Sequence, residues 1–558
     1  MAGRNGQPLA GLVAPMLERA FTLHQQGKLR EAEAAYLAVL RQSPGNAHAL
    51  HLLGLLSAQA GQAARGMELI RRALEIDPRR FLAHRDLGNV LVHSGDFAEA
   101  LASYDRALAL KPDMAETLDN RGTALRMLNR QQEALESHDR AIALDSGLAI
   151  AHINRGSALA GLGRFAEALE SFDRAIALDP SSALAHSNRG NALHRLEQYP
   201  QALESHERAI TLAPNLAHAH VSRGQTLAEL GRFDDALDAF DRASILDPQS
   251  TEAQFGRATT LLITGRYREG WKAYESRLCR VAADAFHPEG RPQWSGQEDI
   301  SGKTLFIEAE QGLGDMLQFC RYAPLCANLG ARVILTAHES QVRLLQSLDS
   351  RIEVRPQQAR PAAFDYHIPL MSLPLAFAVG EKGFAARTPY LQAEAERVER
   401  WRQRIGGQEF KIGVCWRGGP GSQARSFPLH AIAEIGARPG VRLISLQKGP
   451  GTNQLDAQPM RIEPLGEDYD SGPHAFLDAA AVLQVMDLVI SCDTSLAHLA
   501  GALARPVWVA LKFSPDWRYL LGREDCVWYP SMRLFRQDRP GDWESVFAKM
   551  QAALATVC

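Results

Sequence analysis

A 34-residue step runs through the first half of this 558-residue chain. Small residues recur as Ala20, Gly54, Gly88, Gly122, Gly156, Gly190, Gly224 and Ala258. A second small series is Ala32, Gly66, Ala100, Ala134, Ala168, Ala202, Ala236 and Gly270. A third closes each unit, at Pro44, Pro78, Pro112, Ser146, Pro180, Pro214 and Pro248. Small residues let two helices touch, and proline cannot continue a helix. Between them apolar positions keep helical spacing, as in Phe165 to Phe172. Each unit is therefore read as two antiparallel helices that bury their apolar faces only by stacking on neighbours. The stack is all-α and presents a concave groove.

This register resembles the tetratricopeptide repeat, over residues 13–280 and about eight units. A chain of 558 residues exceeds one core, so two or three structural units are expected. A hydrophobic share of 46% and a charged share of 22% are those of an ordinary soluble protein. The net charge of −3 argues against a nucleic-acid partner gripped mainly through phosphates. No apolar stretch reaches the length of a membrane span. The first residues lack the apolar core of a signal peptide, so a cytoplasmic location is expected. The seven cysteines are odd in number and show no Cys-x-x-Cys, which favours free thiols over a disulfide or zinc framework.

Position six of three central repeats is asparagine: Asn120, Asn154 and Asn188. In this fold the first helix of each unit lines the groove, so the spacing sets one carboxamide per repeat in a row. A carboxamide both donates and accepts, and a row of them can pair with an extended peptide backbone of any sequence. The ladder resembles that of the O-linked N-acetylglucosamine transferases. The alternative is that these asparagines only bond neighbouring repeats. His84, His152, His186 and His220 recur where the family pattern has a tryptophan and are read as packing residues. Asp105, Asp139, Asp173 and Asp241 are read as a solvated face.

The pattern changes after residue 280. Tyr267 to Arg277 is heavier in aromatics than the repeats before it and is read as a docking surface for the next domain. Residues 281–301 read as a linker with Trp294 as its anchor. Short β-branched strands then alternate with helices, at Thr304–Glu308, Ala331–Thr336, Lys411–Trp416, Arg442–Leu446, Asp487–Ser491 and Val507–Leu511. Such alternation implies parallel sheets. Two α/β domains are expected, 302–395 on the acceptor side and 396–558 on the donor side. The final helix, about 542–554, is read as packing back on the first. Two facing Rossmann-like domains with a cleft describe the GT-B architecture.

Two motifs come directly after strands. In Glu310-Gln-Gly-Leu-Gly-Asp-Met-Leu-Gln318, Gln311, Gly312 and Gly314 would let backbone amides approach a substrate, and Asp315 would open a helix. Leu317 occupies the third glycine position of the dinucleotide fingerprint, so that fingerprint is not met. In Ser491-Cys-Asp-Thr-Ser-Leu-Ala-His498, hydroxyls at a helix N-terminus form an anion site. Plain capping by Asp315 and Asp493 is the competing account of both turns.

Together these motifs resemble the heptosyltransferase-like enzymes of glycosyltransferase family 9, over about residues 302–540. They resemble still more a bacterial group that joins tetratricopeptide repeats to such a domain. Its marks are the Glu310 motif, Arg425-Ser-Phe-Pro-Leu429, Ser445-Leu-Gln-Lys448, the Asp493 motif, Asp516-Trp-Arg518 and the segment Trp528 to Gln537. The resemblance implies that Asp315 is the general base. It implies that Asp493, Thr494, Ser495 and His498 form the donor diphosphate site. Arg425 falls near a family lysine that neutralises the leaving phosphate, with Arg417 and Lys448 placed to assist. Such cations can replace a metal ion, so neither a metal nor a cofactor is expected, and the nucleotide-sugar is a co-substrate.

The function expected is transfer of a sugar from a nucleotide-sugar to a hydroxyl of a protein acceptor held by the repeats, flagellin or another bacterial protein. Two alternatives stay open. One is a non-catalytic adaptor with a nucleotide-binding domain, and the other is a transferase acting on lipopolysaccharide or another glycan.

Overall fold

A computed structural model describes residues 10–279, 291–310, 312–380, 388–419, 425–457, 460–472 and 475–557. Gln311, Cys558 and residues 281–290 of the expected linker lie outside them. Contacts divide the chain into one unit ending at Ser222 and a second from Arg223 onward. The last two repeats thus cluster with the α/β part, and the division falls well before the change of pattern at residue 280.

The repeats form helix pairs in the expected register, from Ala10–Gln25 with Leu29–Gln42 to Thr251–Ile263 with Tyr267–Tyr274. The small residue on each first helix has a specific function. A Cβ on Gly88, Gly122, Gly156, Gly190 or Gly224 would lie 2.4–2.8 Å from the ring of Tyr104, His138, Phe172, His206 or Phe240 respectively. The ring from the second helix sits directly on the glycine backbone, which sets how closely the pair approaches. The turn between the paired helices takes a left-handed residue at Gly27, Gly61, Gly95, Asn129, Gly163, Glu197, Gly231 and Gly265. That conformation closes a helix C-terminus and is the reason glycine fills most of these positions.

The four in-register histidines each place Nε2 3.0–3.3 Å from the carbonyl of Pro78, Ser146, Pro180 or Pro214. They brace the repeat ends. The aspartates read as a solvated face are half-exposed but not unpartnered. Arg121, Arg155, Arg189 and Arg257 reach back to Asp105, Asp139, Asp173 and Asp241 at 2.6–2.7 Å, so each pair clasps consecutive repeats.

In the second unit the described strands form two all-parallel sheets. The first contains β1 (Thr304–Glu308), β2 (Arg332–Ala337), β3 (Ile352–Pro356) and β4 (Tyr366–Pro369), in the order β3-β2-β1-β4. The second contains β5 (Phe410–Cys415), β6 (Val441–Ser445), β7 (Ile462–Pro464), β8 (Leu488–Cys492), β9 (Val507–Leu511) and β10 (Met532–Arg536). Its order is β10-β9-β8-β5-β6-β7. The central strands are buried on both faces, as their nearly continuous apolar runs require.

The last repeat is built into this core. Trp271 is buried, donates from Nε1 to the Val379 carbonyl at 2.9 Å, and meets the Trp517 ring edge-on at 5.3 Å. Trp294 is also buried, with its backbone N–H donating to the His367 carbonyl at 2.8 Å. One placement is corrected. The final helix, Trp543–Leu554, packs through Phe547, Met550 and Leu554 among side chains of the second sheet's own layer, such as Ile412, Trp416 and Phe427. Its apolar face continues the core it adjoins in sequence, rather than that of the first sheet. No described helix is long and apolar enough to cross a membrane.

Candidate functional site

In an open parallel sheet the crevice lies at the C-terminal ends of strands where the order reverses. Here those points are β1 beside β4 and β5 beside β8. The Gly312 turn comes after β1, the Arg417 loop after β5, and the Asp493 turn after β8. Side chains from all three line one cavity of about 390 Å³. It brings together Gly312, Gly314, Asp315, Arg417, Arg425, Lys448, Asp493, Thr494, Ser495 and His498.

The helix Leu313–Phe319 opens at Gly312, whose φ of +81° suits glycine alone among ordinary residues. Asp315 therefore lies in the first turn instead of capping it. A Cβ on Gly312 would come within 2.4 Å of Asp315 Oδ2. A Cβ on Gly314 would lie 3.2 Å from His498 Cδ2, so the bare backbone lets the Asp315 and His498 helices meet.

Asp315 accepts from Arg518 Nη2 at 2.5 Å. Burial pushes its carboxyl up to about 6 against the pull of Arg518, and the nearby Asp516, Glu310 and Asp493 add to the rise. Arg518 is itself buried, donating from Nη1 to Asp516 at 2.7 Å and from Nε to Gln318 Oε1 at 2.8 Å. Asp493 does not cap its helix either. It accepts from Arg425 Nη1 at 3.2 Å and from the Tyr519 hydroxyl at 2.9 Å. Burial and the Asp516 carboxylate raise its pKa, opposed by Arg425 and Arg518.

Thr494 forms the N-cap of the helix Ser495–Ala502, and its hydroxyl lies 3.0 Å from Ser491 Oγ. The helix start leaves the Ser495 and Leu496 amides without intrahelical acceptors, which favours an anion. His498 has Nδ1 3.1 Å from the Tyr529 hydroxyl, and burial together with Arg518 lowers its pKa to about 3. It is neutral in this site.

The Lys448 ammonium donates to the Tyr469 carbonyl and lies 5.9 Å over that ring. Gln447 joins the Arg417 loop to the Pro450 loop. Its Oε1 accepts from the Trp416 and Arg417 N–H groups at 3.1 and 2.9 Å, and its Nε2 donates to the Arg417 and Pro450 carbonyls at 2.9 and 3.0 Å. From the last repeat, buried Arg277 donates to both oxygens of Glu310 at 2.8 and 2.9 Å, bracing the residue that leads into the glycine turn.

Arg518, Asp516, Gln447 and Arg277 are absent from the residues the sequence singled out for the site. Asp516-Trp-Arg518 stood out as a family mark, but its partner lies 203 residues away. In the repeats, Asn120 Nδ2 donates to Asn89 Oδ1 at 3.0 Å and Asn154 Nδ2 to Asp119 Oδ2 at 2.9 Å. Two of the three asparagines thus bond the preceding repeat. Each keeps an amide oxygen and a second N–H in its hydrogen-bonding inventory.

The tetratricopeptide-repeat family matches residues 18–80, 153–217 and 221–288, and a second repeat family 79–147. Glycosyltransferase family 9 (heptosyltransferase) matches residues 471–511, which hold Asp493, Thr494, Ser495 and His498. Protein FlbA of Caulobacter vibrioides is 30% identical over 321 residues, covering 51% of this chain and 52% of that protein. The chain thus spans about half the length of that relative. Among solved structures, the tetratricopeptide-repeat protein YrrB is 26% identical, covering 33% of this chain and 95% of its own, with a TM-score of 0.30. A repeat protein from Parabacteroides merdae is 18% identical, covering 45% and 98%, with a TM-score of 0.38. The first half of the chain thus carries tetratricopeptide repeats, and residues 471–511 are similar to glycosyltransferase family 9.

Proposed function

We propose that the chain transfers a sugar from a nucleotide-sugar donor to a hydroxyl of a protein acceptor recruited by the repeats. The observation that carries this reading is the single cavity that Asp315 shares with Arg417, Arg425, Lys448, Thr494 and Ser495. A carboxylate with a raised pKa faces a cluster of cations and helix-start amides. In the proposed step the acceptor oxygen attacks the anomeric carbon, and its proton passes to Asp315. The bond from that carbon to the phosphate oxygen breaks, and the departing nucleotide keeps the electron pair. Arg425, Arg417 and Lys448, with Thr494 and Ser495, stabilise the charge that develops there. These side chains supply the stabilisation that other transferases draw from a bound metal ion.

Asn120, Asn154 and Asn188 hold the acceptor backbone in this account. Flagellin is a candidate acceptor by the resemblance of the repeat-and-transferase pairing. The experiment is a panel of nucleotide-sugars incubated with the purified chain and protein extract from a strain lacking it. Nucleotide release and protein labelling from one donor would support the transferase. Nucleotide binding without turnover of any donor would favour the adaptor.

A further inference from the structure

A second cavity, of about 370 Å³, adjoins the first and shares Arg425 and Asp493 with it. One wall comes from the last two repeats, through Glu229, Phe233 and Thr259. The other comes from the end of β9 and the loop beyond it, through Lys512, Ser514 and Asp516. Bonds cross between the walls. Lys512 Nζ donates to both Glu229 oxygens at 2.8 Å, and Ser514 Oγ donates to the Ala228 carbonyl at 3.0 Å. The volume is in the ordinary range for a ligand site. None of its lining comes from residues 302–395, the domain expected on the acceptor side.

We infer that this chamber is the acceptor subsite, taking an uncharged, extended stretch of polypeptide that bears a Ser or Thr hydroxyl. The inference deepens the transferase reading and rests on it. The chamber's charges are already paired: Glu229 with Lys512, Asp493 with Arg425, and Asp516 with Arg518. A charged ligand would compete with these pairs, whereas an uncharged one leaves them undisturbed. Thr494 and Ser495 line only the first cavity, so a donor phosphate held there leaves the chamber open. Side-chain bonds also tie the chamber wall to the proposed base. Arg518 bonds Asp516 on the chamber wall and Asp315 in the first cavity, and the Arg425–Asp493 pair borders both.

The test narrows the chamber without touching the donor cavity. Thr259 is half-buried, and among the described residues its hydroxyl bonds only its own helix, to the Phe255 and Gly256 carbonyls at 3.1 Å. The full chain carrying Thr259→Phe is compared with wild type and with Thr259→Ser. Two rates are read with the donor the wild type uses: labelling of protein in the deletion-strain extract, and nucleotide release without extract. The chamber account predicts that Thr259→Phe lowers labelling at least about tenfold and keeps release within about twofold, while Thr259→Ser matches wild type on both. Ser514→Phe, on the opposite wall, guards against local misfolding and is expected to act alike. Undiminished labelling by both phenylalanine variants would overturn the chamber and leave the transferase standing. A wild-type chain that neither releases nucleotide nor labels protein would overturn both.

Discussion

Arg518 donates to Asp315 at 2.5 Å across 203 residues of sequence, joining the proposed base to the second sheet's domain. The same guanidinium holds Asp516, so two carboxylates share one cation. Burial raises the Asp315 pKa and Arg518 restrains it. This balance keeps the carboxylate ionised at neutral pH yet basic enough to accept a proton.

Turnover should therefore require ionised Asp315. As pH falls through about 6, the rate should drop about tenfold per unit, with a plateau above pH 7. Arg518 favours the charged form, so Arg518→Gln should move this limb to higher pH. The pH profile of kcat/KM checks both. His498 is neutral throughout this range and should add no limb of its own.

Removing Arg518 should also cost stability. Two carboxylates would lose their buried partner, an effect of about 3 kcal/mol. Urea unfolding of Arg518→Gln measures it, and Arg518→Lys should recover only part, because a lysine cannot bond both carboxylates in the same fork.

Gly312→Ala should lower turnover more than stability. The left-handed backbone costs an alanine about 1–2 kcal/mol. The added methyl would fall within 2.4 Å of Asp315 Oδ2 and turn the carboxylate from its position. Donor binding by calorimetry should persist while turnover falls.

Much of this site was legible in sequence because its residues come directly after predicted strands. Asp315, Asp493 and Thr494 sit just after β1 and β8, where side chains converge whatever the loop details. Arg518 and Gln447 were not legible, since their partners are distant in sequence. The short strands β3, β4, β7 and β10 were missed as well. Ile352-Glu-Val-Arg-Pro356 is too polar, and Ile462-Glu-Pro464 too short, to show a period. The repeat register is legible in three series of small and terminating residues. The ring that each glycine receives is not, because it changes among Tyr, His and Phe.

His206 is one of those rings, and neither of its nitrogens has a hydrogen-bond partner among the described residues. Burial lowers its pKa from 6.5 to about 3. The unfolded chain therefore binds the proton first, and stability is lost as pH falls below 6.5. The loss should reach about 2 kcal/mol by pH 5. His206→Phe, which copies Phe172 and Phe240 in register, should remove this dependence, as read by thermal unfolding at pH 5 and 7.

Asn154→Ala should cost the repeats about 1 kcal/mol through the lost bond to Asp119. The triple replacement of Asn120, Asn154 and Asn188 by alanine should reduce protein labelling and spare nucleotide release. Equal labelling by the triple variant would remove the asparagine row from the account.

The most direct measurement is protein labelling by purified wild-type chain and by Asp315→Asn, with a nucleotide-sugar panel and deletion-strain extract. The account predicts labelling from one donor by the wild type and a loss of about 10²–10⁴ in the variant, with nucleotide still bound. Undiminished labelling by Asp315→Asn, or no donor used by the wild type, would contradict it.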